Sequence, residues 1–113
     1  MSLGTPLCAE LFSRFPDVDA VQTNNDDIAL GALFELQRRR VSIPDELGIC
    51  GFNDLNFCMV SHPGLTSIRT YRYEMGKRAI EMLIASIGGS RPAEAVVDTG
   101  FALIERQSTQ RQS

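Results

Sequence analysis

Two short apolar, β-prone runs separated by one amphipathic helix constrain the fold of this chain more than any other feature. The first run covers residues 19–23, and the second, residues 47–52, is almost continuously apolar. Between them, residues 26–39 repeat apolar side chains at helical spacing, after helix-capping residue types at 24–27. Continuous apolar strands are typical of a parallel sheet covered on both faces. The pattern therefore predicts a strand-helix-strand unit and an α/β fold, a parallel sheet with flanking helices.

Other segments predict elements that extend this unit on both sides. They are helices at 6–15 and 71–87, a helical turn at 56–61, a third strand at 65–69, and extended segments at 95–98 and 101–105 joined by a turn at 99–100. The tail from Gln107 is polar, and we expect it to be frayed.

Charge and hydropathy exclude two kinds of partner for this segment. The formal net charge of −3 supplies no positive field for a polyanion, so we expect nucleic-acid contacts to lie outside these residues. No apolar run reaches the roughly 20 residues that span a bilayer, and the first residues do not resemble a secretory signal. We therefore expect no membrane partner and a cytoplasmic location.

Catalytic, metal and cofactor sites lack the residues that they need. His62 is the single histidine and lies in a His-Pro-Gly turn context, so no Ser-His-Asp or Cys-His arrangement is predicted. Cys8, Cys50 and Cys58 have no metal-ligand spacing, and we expect reduced thiols. No glycine-rich phosphate motif is present. We expect no enzyme activity, no metal and no cofactor.

Polar residues follow both strands of the predicted unit, at the edge where open parallel sheets bind ligands. They are Asn24, Asn25 and Asp26 after the first strand, and Asn53 and Asp54 after the second. Amides and carboxylates suit the paired hydroxyls of a sugar or polyol. The same residue types also cap helices and form turns without any ligand, so both interpretations stay open.

Leu30 and Phe34 form a ridge outside the main apolar arc of the helix at 26–39. Large apolar side chains at i and i+4 off the buried face are covered by a neighbouring loop or helix, or by another subunit. The spacing alone leaves both alternatives open.

Four spaced motifs carry a resemblance to a known family. They are D-A-V at 19–21 with N-D-D-I-A-L-G-A-L at 25–33, I-P-D-E-L at 43–47 with G-F-N-D at 51–54, P-G-L-T-S-I-R at 63–69, and G-K-R-A at 76–79 with L-I at 83–84. In this order they resemble transcription regulators of the lac-repressor family, over about residues 17–106. Within that family, N-N-D-D at 24–27 and D-T-G-F at 98–101 are most similar to repressors of gluconate utilisation.

The resemblance implies an effector site with one departure from the family pattern. Family effector contacts correspond to Asn25 and Asn53, and Gln22 and Thr23 would line the same cleft, with Asp54 beside Asn53. The family usually has Asp at the position of Asn53. An amide there removes a negative charge, which suits an anionic ligand such as a sugar acid.

The resemblance also implies a place for this chain within a larger protein. Residues 1–113 would be a C-terminal segment of a two-lobed, periplasmic-binding-protein-like sensor: a second-lobe core at about 7–70, a helix at about 71–88 packing on the first lobe, and extended strands at about 94–106. Such a repressor would form a homodimer through Leu30 and Phe34 and contact DNA only through an N-terminal helix-turn-helix headpiece. The alternative is a fragment of a transport-type periplasmic sugar-binding protein.

Overall fold

The computed structural model describes residues 3–89 and 96–111 and has short strands flanked by helices. The helices are α1 (Gly4–Arg14), α2 (Asp26–Arg38), α3 (Phe57–Val60) and α4 (Arg72–Ile87). The strands are β1 (Ala20–Gln22), β2 (Gly48–Cys50), β3 (Ser67–Thr70) and β4 (Phe101–Ile104), followed by a 3₁₀ helix at Gln107–Thr109. The predicted α/β class and the unit of β1, α2 and β2 are confirmed.

Two compact units divide the chain. The chain leaves the first unit after Arg69 and returns to it at Leu103, so that Thr70–Ala102 makes up the second. The polar edge predicted from the sequence belongs to the first unit.

The strands of the first unit bring three carboxyl ends to one edge. β1 and β2 pair in parallel, with Val21 opposite Ile49. A parallel bridge between Cys50 and Thr66 joins β2 to the segment that enters β3, and the Gly51 N–H donates to the Thr66 carbonyl at 2.8 Å. β3 also pairs with β4. Because β1, β2 and β3 run in the same direction, the residues that follow them are neighbours.

Local sequence fixes both ends of α2. The side-chain oxygen of Asn25 accepts a hydrogen bond from the Ile28 N–H at 2.9 Å. Asp26 and Asp27 place acidic groups in the first turn, and Arg38 places a cation in the last, which complements the helix dipole at both ends. The helix therefore begins immediately behind the polar edge.

An apolar core holds α1 and α2 against the strands. Its buried members are Cys8, Ala29, Ala32, Leu33, Leu36, Leu47, Ile49, Cys58 and Leu65. Burial of each leucine contributes roughly 1.5–3 kcal/mol. The two helices approach closely because Gly4 lies on the backbone of Gly31 and Ala32, where a Cβ would collide. This packing supports the loop that joins β1 to α2.

The predicted ridge on α2 is covered unevenly. Leu30 is half-buried and packs against the core, whereas Phe34 is 52% exposed. Elements of the chain itself thus cover part of the ridge, and Phe34 is the member that stays accessible.

The prediction of a frayed tail from Gln107 is wrong. Ser108 lies in the 3₁₀ helix and is fully buried. Its hydroxyl accepts a hydrogen bond from the Thr66 N–H at 2.8 Å and donates one to the Ile49 carbonyl at 2.6 Å. The polar tail therefore satisfies backbone groups between β2 and the segment entering β3, and its polarity does not indicate exposure.

The second unit contains α4, in which no residue is buried. Its exposed large apolar side chains include Tyr73, Ile80, Leu83, Ile84 and Ile87. Among the residues that the structure describes, no helix is long and apolar enough to cross a membrane.

The extended segments expected near the C-terminus are found only in part. β4 is confirmed at Phe101–Ile104. It is preceded by Gly100 at φ +79°, whose N–H donates to the Asp98 carboxylate at 2.8 Å. Residues 96–98 are not a strand, and residues 94 and 95 of the prediction lie outside the described residues.

Candidate functional site

An open cleft of about 650 Å³ lies at the carboxyl ends of the parallel strands. Its lining residues are Gln22, Thr23, Asn24, Phe52 and Ile68. The sequence interpretation named the first three at this edge and missed Phe52 and Ile68. Both lie at or beside the ends of predicted strands, and that position is the signal that could have indicated them.

Gln22 and Thr23 are anchored to the strand ends around them. The Gln22 amide donates to the Gly51 carbonyl at 3.0 Å, which ties β1 to the end of β2. The buried Thr23 hydroxyl donates to the Asn25 carbonyl at 2.7 Å and fixes the start of α2. Gln22 therefore keeps its side-chain oxygen as an acceptor for a ligand, while Thr23 chiefly shapes the cleft.

Asn25 is the N-cap of α2. Its side-chain oxygen is engaged by the Ile28 N–H, so the capping alternative raised from the sequence is what the structure contains. An amide carries two N–H donors besides that oxygen, and these are what Asn25 could still offer to a ligand.

The turn after β2 has an unusual backbone. Asn53 has φ +104° and Asp54 has φ +56°, a region that residues other than glycine adopt rarely. Three successive N–H groups, those of Asn53, Asp54 and Leu55, are each held by an acceptor. The acceptors are, in order, the Ile68 carbonyl at 2.8 Å, the Ser67 hydroxyl at 3.0 Å and the Asp26 carboxylate at 2.6 Å. These bonds hold the turn beside the cleft.

Asp54 is an ion-pair partner of two arginines. Its side chain is 5% exposed, with Arg69 Nη2 2.8 Å from Oδ2 and Arg106 Nη2 2.8 Å from Oδ1. Within the described residues, Oδ1 makes no regular hydrogen bond, so the Arg106 charge is what compensates this buried oxygen. Burial alone would raise the pKa of Asp54, but Arg106 and Arg69 outweigh it and hold the pKa below its ordinary value.

Asp26 is a second buried carboxylate, which the sequence placed at the polar edge but not among the effector contacts. It is fully buried, and besides the Leu55 N–H it accepts a hydrogen bond from the Ser67 hydroxyl at 2.6 Å. Gly51 lies against it, where any Cβ would collide with the carboxylate. Asp26 therefore connects the start of α2 to β3 and to the turn after β2.

The lining of the cleft carries no charged side chain among the described residues. Asp26 and Asp54 are engaged by protein partners, so the polar groups left at the edge are amides beside the apolar surfaces of Phe52 and Ile68. A concave, mainly apolar surface with a few polar groups is the usual form of a small-molecule site. The combination suits a hydroxylated ligand with one apolar face.

Three thiols lie in the first unit and are unpaired. Burial raises the pKa of Cys8 and Cys50, and burial followed by the nearby charge of Asp26 raises the pKa of Cys58 to about 12. A thiol with a raised pKa is a poor nucleophile at neutral pH. Among the described residues, no cluster of metal-ligating side chains is present.

A family model described as a periplasmic binding protein-like domain matches residues 5–109. The chain belongs to this family. Within the periplasmic-binding-protein-like family, the chain is 43% identical over 109 residues to the HTH-type transcriptional regulator GntR of Pseudomonas aeruginosa, covering 96% of this chain and 32% of that protein.

Solved structures agree with this assignment. The crystal structure of transcription regulator GntR from Chromobacterium violaceum is 36% identical, with a TM-score of 0.85 over 96% of this chain and 40% of that one. A complex of transcriptional regulator CelR with cellobiose is 29% identical, with a TM-score of 0.83 over 93% of this chain and 32% of that one. The resemblance to lac-repressor-family regulators is confirmed, and the chain spans about a third of the length of the curated relatives that it matches.

Proposed function

We propose that this chain is the effector-sensing segment of a lac-repressor-family transcriptional repressor, and that a sugar or sugar acid binds in the cleft at the ends of β1, β2 and β3. The observation that carries the proposal is the meeting of Gln22 and Asn24 with Phe52 at one strand edge, with Asn53 next in the chain. The amides suit hydroxyl groups, and the phenyl ring suits the apolar face of a sugar.

Gluconate is the ligand that we propose first. The motifs at residues 24–27 and 98–101 resemble those of gluconate repressors. The uncharged lining of the cleft supports the same choice, because a free carboxylate there would repel an anion. Asn53 follows the lining residue Phe52 in the chain and adds no charge beside the cleft, since it stands where the family usually has Asp.

Calorimetric titration of the full-length protein with gluconate, and with glucose as the uncharged comparison, tests the proposal. We expect Asn53→Ala to weaken gluconate binding by about 3- to 10-fold, the value of one neutral hydrogen bond. Asn56→Ala is the matched control, because Asn56 is exposed and its side chain caps no helix. Binding of glucose without gluconate would refute the sugar-acid assignment, and binding of neither would refute sugar sensing at this cleft.

The proposal includes a homodimer formed through α2. Phe34 supports it because a phenyl ring that is 52% exposed on a structured helix suits a subunit interface. Leu30, half-buried one turn earlier, would lie at the border of that contact. DNA would be contacted through a helix-turn-helix headpiece outside these residues, which fits the formal net charge of −3 and a cytoplasmic protein.

A transport-type periplasmic sugar-binding protein remains the alternative, since the family description covers binding proteins in general. The relatives named as transcriptional regulators favour regulation. Residues upstream of this chain in the full-length protein discriminate the two: a helix-turn-helix pattern supports regulation and a signal peptide supports transport.

A further inference from the structure

The Asp54 carboxylate connects three separate parts of the first unit. It follows Asn53 in the turn after β2, it pairs with Arg69 at the point where the chain leaves the first unit, and it pairs with Arg106 shortly after the chain returns. The Asp54 side chain is 5% exposed and that of Arg106 is 14% exposed, so this is a largely desolvated contact. Such a pair has a defined geometry, unlike a solvated surface ion pair.

We propose that Asp54 is a positioning residue that holds Asn53 for the effector, and that it does not contact the effector itself. This inference rests on the proposed function and assigns a role within the same site. The Asp54 side chain is only 5% exposed and each of its carboxylate oxygens lies 2.8 Å from an arginine nitrogen, so it is buried against protein groups instead of facing a sugar hydroxyl. The two arginine contacts instead fix the orientation of Asp54, which immediately follows Asn53 in the chain.

Backbone strain explains why Asn53 needs such support. A φ of +104° is costly for a residue with a Cβ, and it persists only where the surroundings determine it. Hydrogen bonds hold the Asn53 and Asp54 N–H groups, and the two arginines hold the Asp54 side chain. Loss of the Asp54 charge releases the arginine contacts, and the side-chain amide of Asn53 then samples other orientations.

A double-mutant cycle in the full-length protein, titrated with gluconate, tests the role. We expect Asp54→Asn to weaken binding by about 3- to 10-fold, no more than Asn53→Ala, because it acts through Asn53. In the Asn53→Ala background, Asp54→Asn should weaken gluconate binding by less than about 2-fold, because the two sites are coupled. An equal loss in both backgrounds overturns the proposal, as does unchanged affinity in the single variant.

Glu35 provides a matched control for general destabilisation. It is also a buried carboxylate contacted by two arginines, Arg38 and Arg39, and it lies nine residues into α2, about 14 Å from the start of the helix. We expect Glu35→Gln to lower the unfolding temperature while changing gluconate affinity by less than about 2-fold. Equal losses of affinity in Glu35→Gln and Asp54→Asn would mean a merely structural effect and would overturn the assignment.

Two further measurements separate this inference from the proposed function. Arg69→Gln should reproduce part of the loss of affinity, and Arg69→Lys should restore it, because the lysine keeps the charge beside Asp54. Hydrogen exchange of the Asn53 backbone N–H needs no ligand. Asp54→Asn should accelerate this exchange, and Glu35→Gln should not. If wild-type protein fails to bind gluconate, the ligand assignment fails, while unchanged exchange at Asn53 defeats the positioning role by itself.

Discussion

Replacement of Ser108 by alanine tests the most unexpected feature of the fold. The serine hydroxyl fills a fully buried position between two strands, where it accepts from the Thr66 N–H at 2.8 Å and donates to the Ile49 carbonyl at 2.6 Å. Alanine removes the hydroxyl and leaves both backbone groups without this partner. Water cannot replace it easily, because Ser108 has no exposed surface.

The structure sets the magnitude of the effect. An unsatisfied buried donor or acceptor costs about 1–3 kcal/mol, so two of them would cost about 2–6 kcal/mol. The parallel bridge between Cys50 and Thr66 already holds these strands together, so the Thr66 N–H and the Ile49 carbonyl can approach each other directly in the variant. We therefore expect the lower part of the range, a loss of about 2–3 kcal/mol in the free energy of unfolding.

Urea denaturation followed by circular dichroism measures this loss, and hydrogen exchange of the Thr66 amide locates it. Ser86→Ala is the control, because the Ser86 hydroxyl also donates to a carbonyl, that of Met82 at 2.9 Å, but on the exposed surface of α4. That change should stay within about 0.5 kcal/mol of the wild type. A loss below about 1 kcal/mol in Ser108→Ala, with hydrogen exchange at Thr66 unchanged, would contradict the conclusion that the tail satisfies buried backbone groups.

Four further predictions address packing, assembly and ionisation. Gly51→Ala should destabilise the chain by about 1–3 kcal/mol, because the new Cβ collides with the buried carboxylate of Asp26. Gly76→Ala, on α4 with open space around it, should stabilise the chain by up to about 1 kcal/mol. Equal changes of the two variants in urea denaturation would contradict this difference. Phe34→Ala should shift the full-length protein toward monomer, and an unchanged sedimentation profile would count against the interface. Because the pKa of Asp54 is lowered, the stabilisation of the fold by its charge is complete above about pH 4 and is lost as the pH falls through the lowered pKa. The difference in unfolding free energy between wild type and Asp54→Asn should therefore shrink below about pH 4. A difference that grows below that pH would contradict the role of the charge. Because the pKa of Cys58 is about 12, iodoacetamide at neutral pH should modify it at least ~100-fold more slowly than in urea-unfolded chain, and mass spectrometry showing equal rates would contradict its burial.

Interactions between near neighbours in the chain could be predicted from the sequence. The cap of α2 joins Asn25 to Ile28, three residues away, and depends on residue types that favour this position in any fold. The apolar periods of α2 and of the two parallel strands are equally local. The order of these elements then placed the polar edge, because the carboxyl ends of parallel strands meet at one side of a sheet.

Interactions between distant residues explain the wrong and missing predictions. Ser108 contacts Ile49 across 59 residues, and Asp26 contacts Ser67 across 41. Whether a polar side chain is buried depends on which distant backbone groups face it, and the composition of a segment does not indicate those contacts. For this reason the tail was expected to fray, and Asp26 was expected at the polar edge where ligands bind, whereas Ser108 and Asp26 are both buried.

Local sequence patterns were enough to predict the α/β class, the strand-helix-strand unit, the family and the edge at which the polar residues gather. The folded chain was needed to show that Arg69 and Arg106 hold Asp54, that Phe52 and Ile68 line the cleft, and that Ser108 lies in the interior. The physical reason is the range of the forces: backbone propensity and apolar period act over a few residues, whereas desolvation and charge pairing depend on residues that meet only after folding.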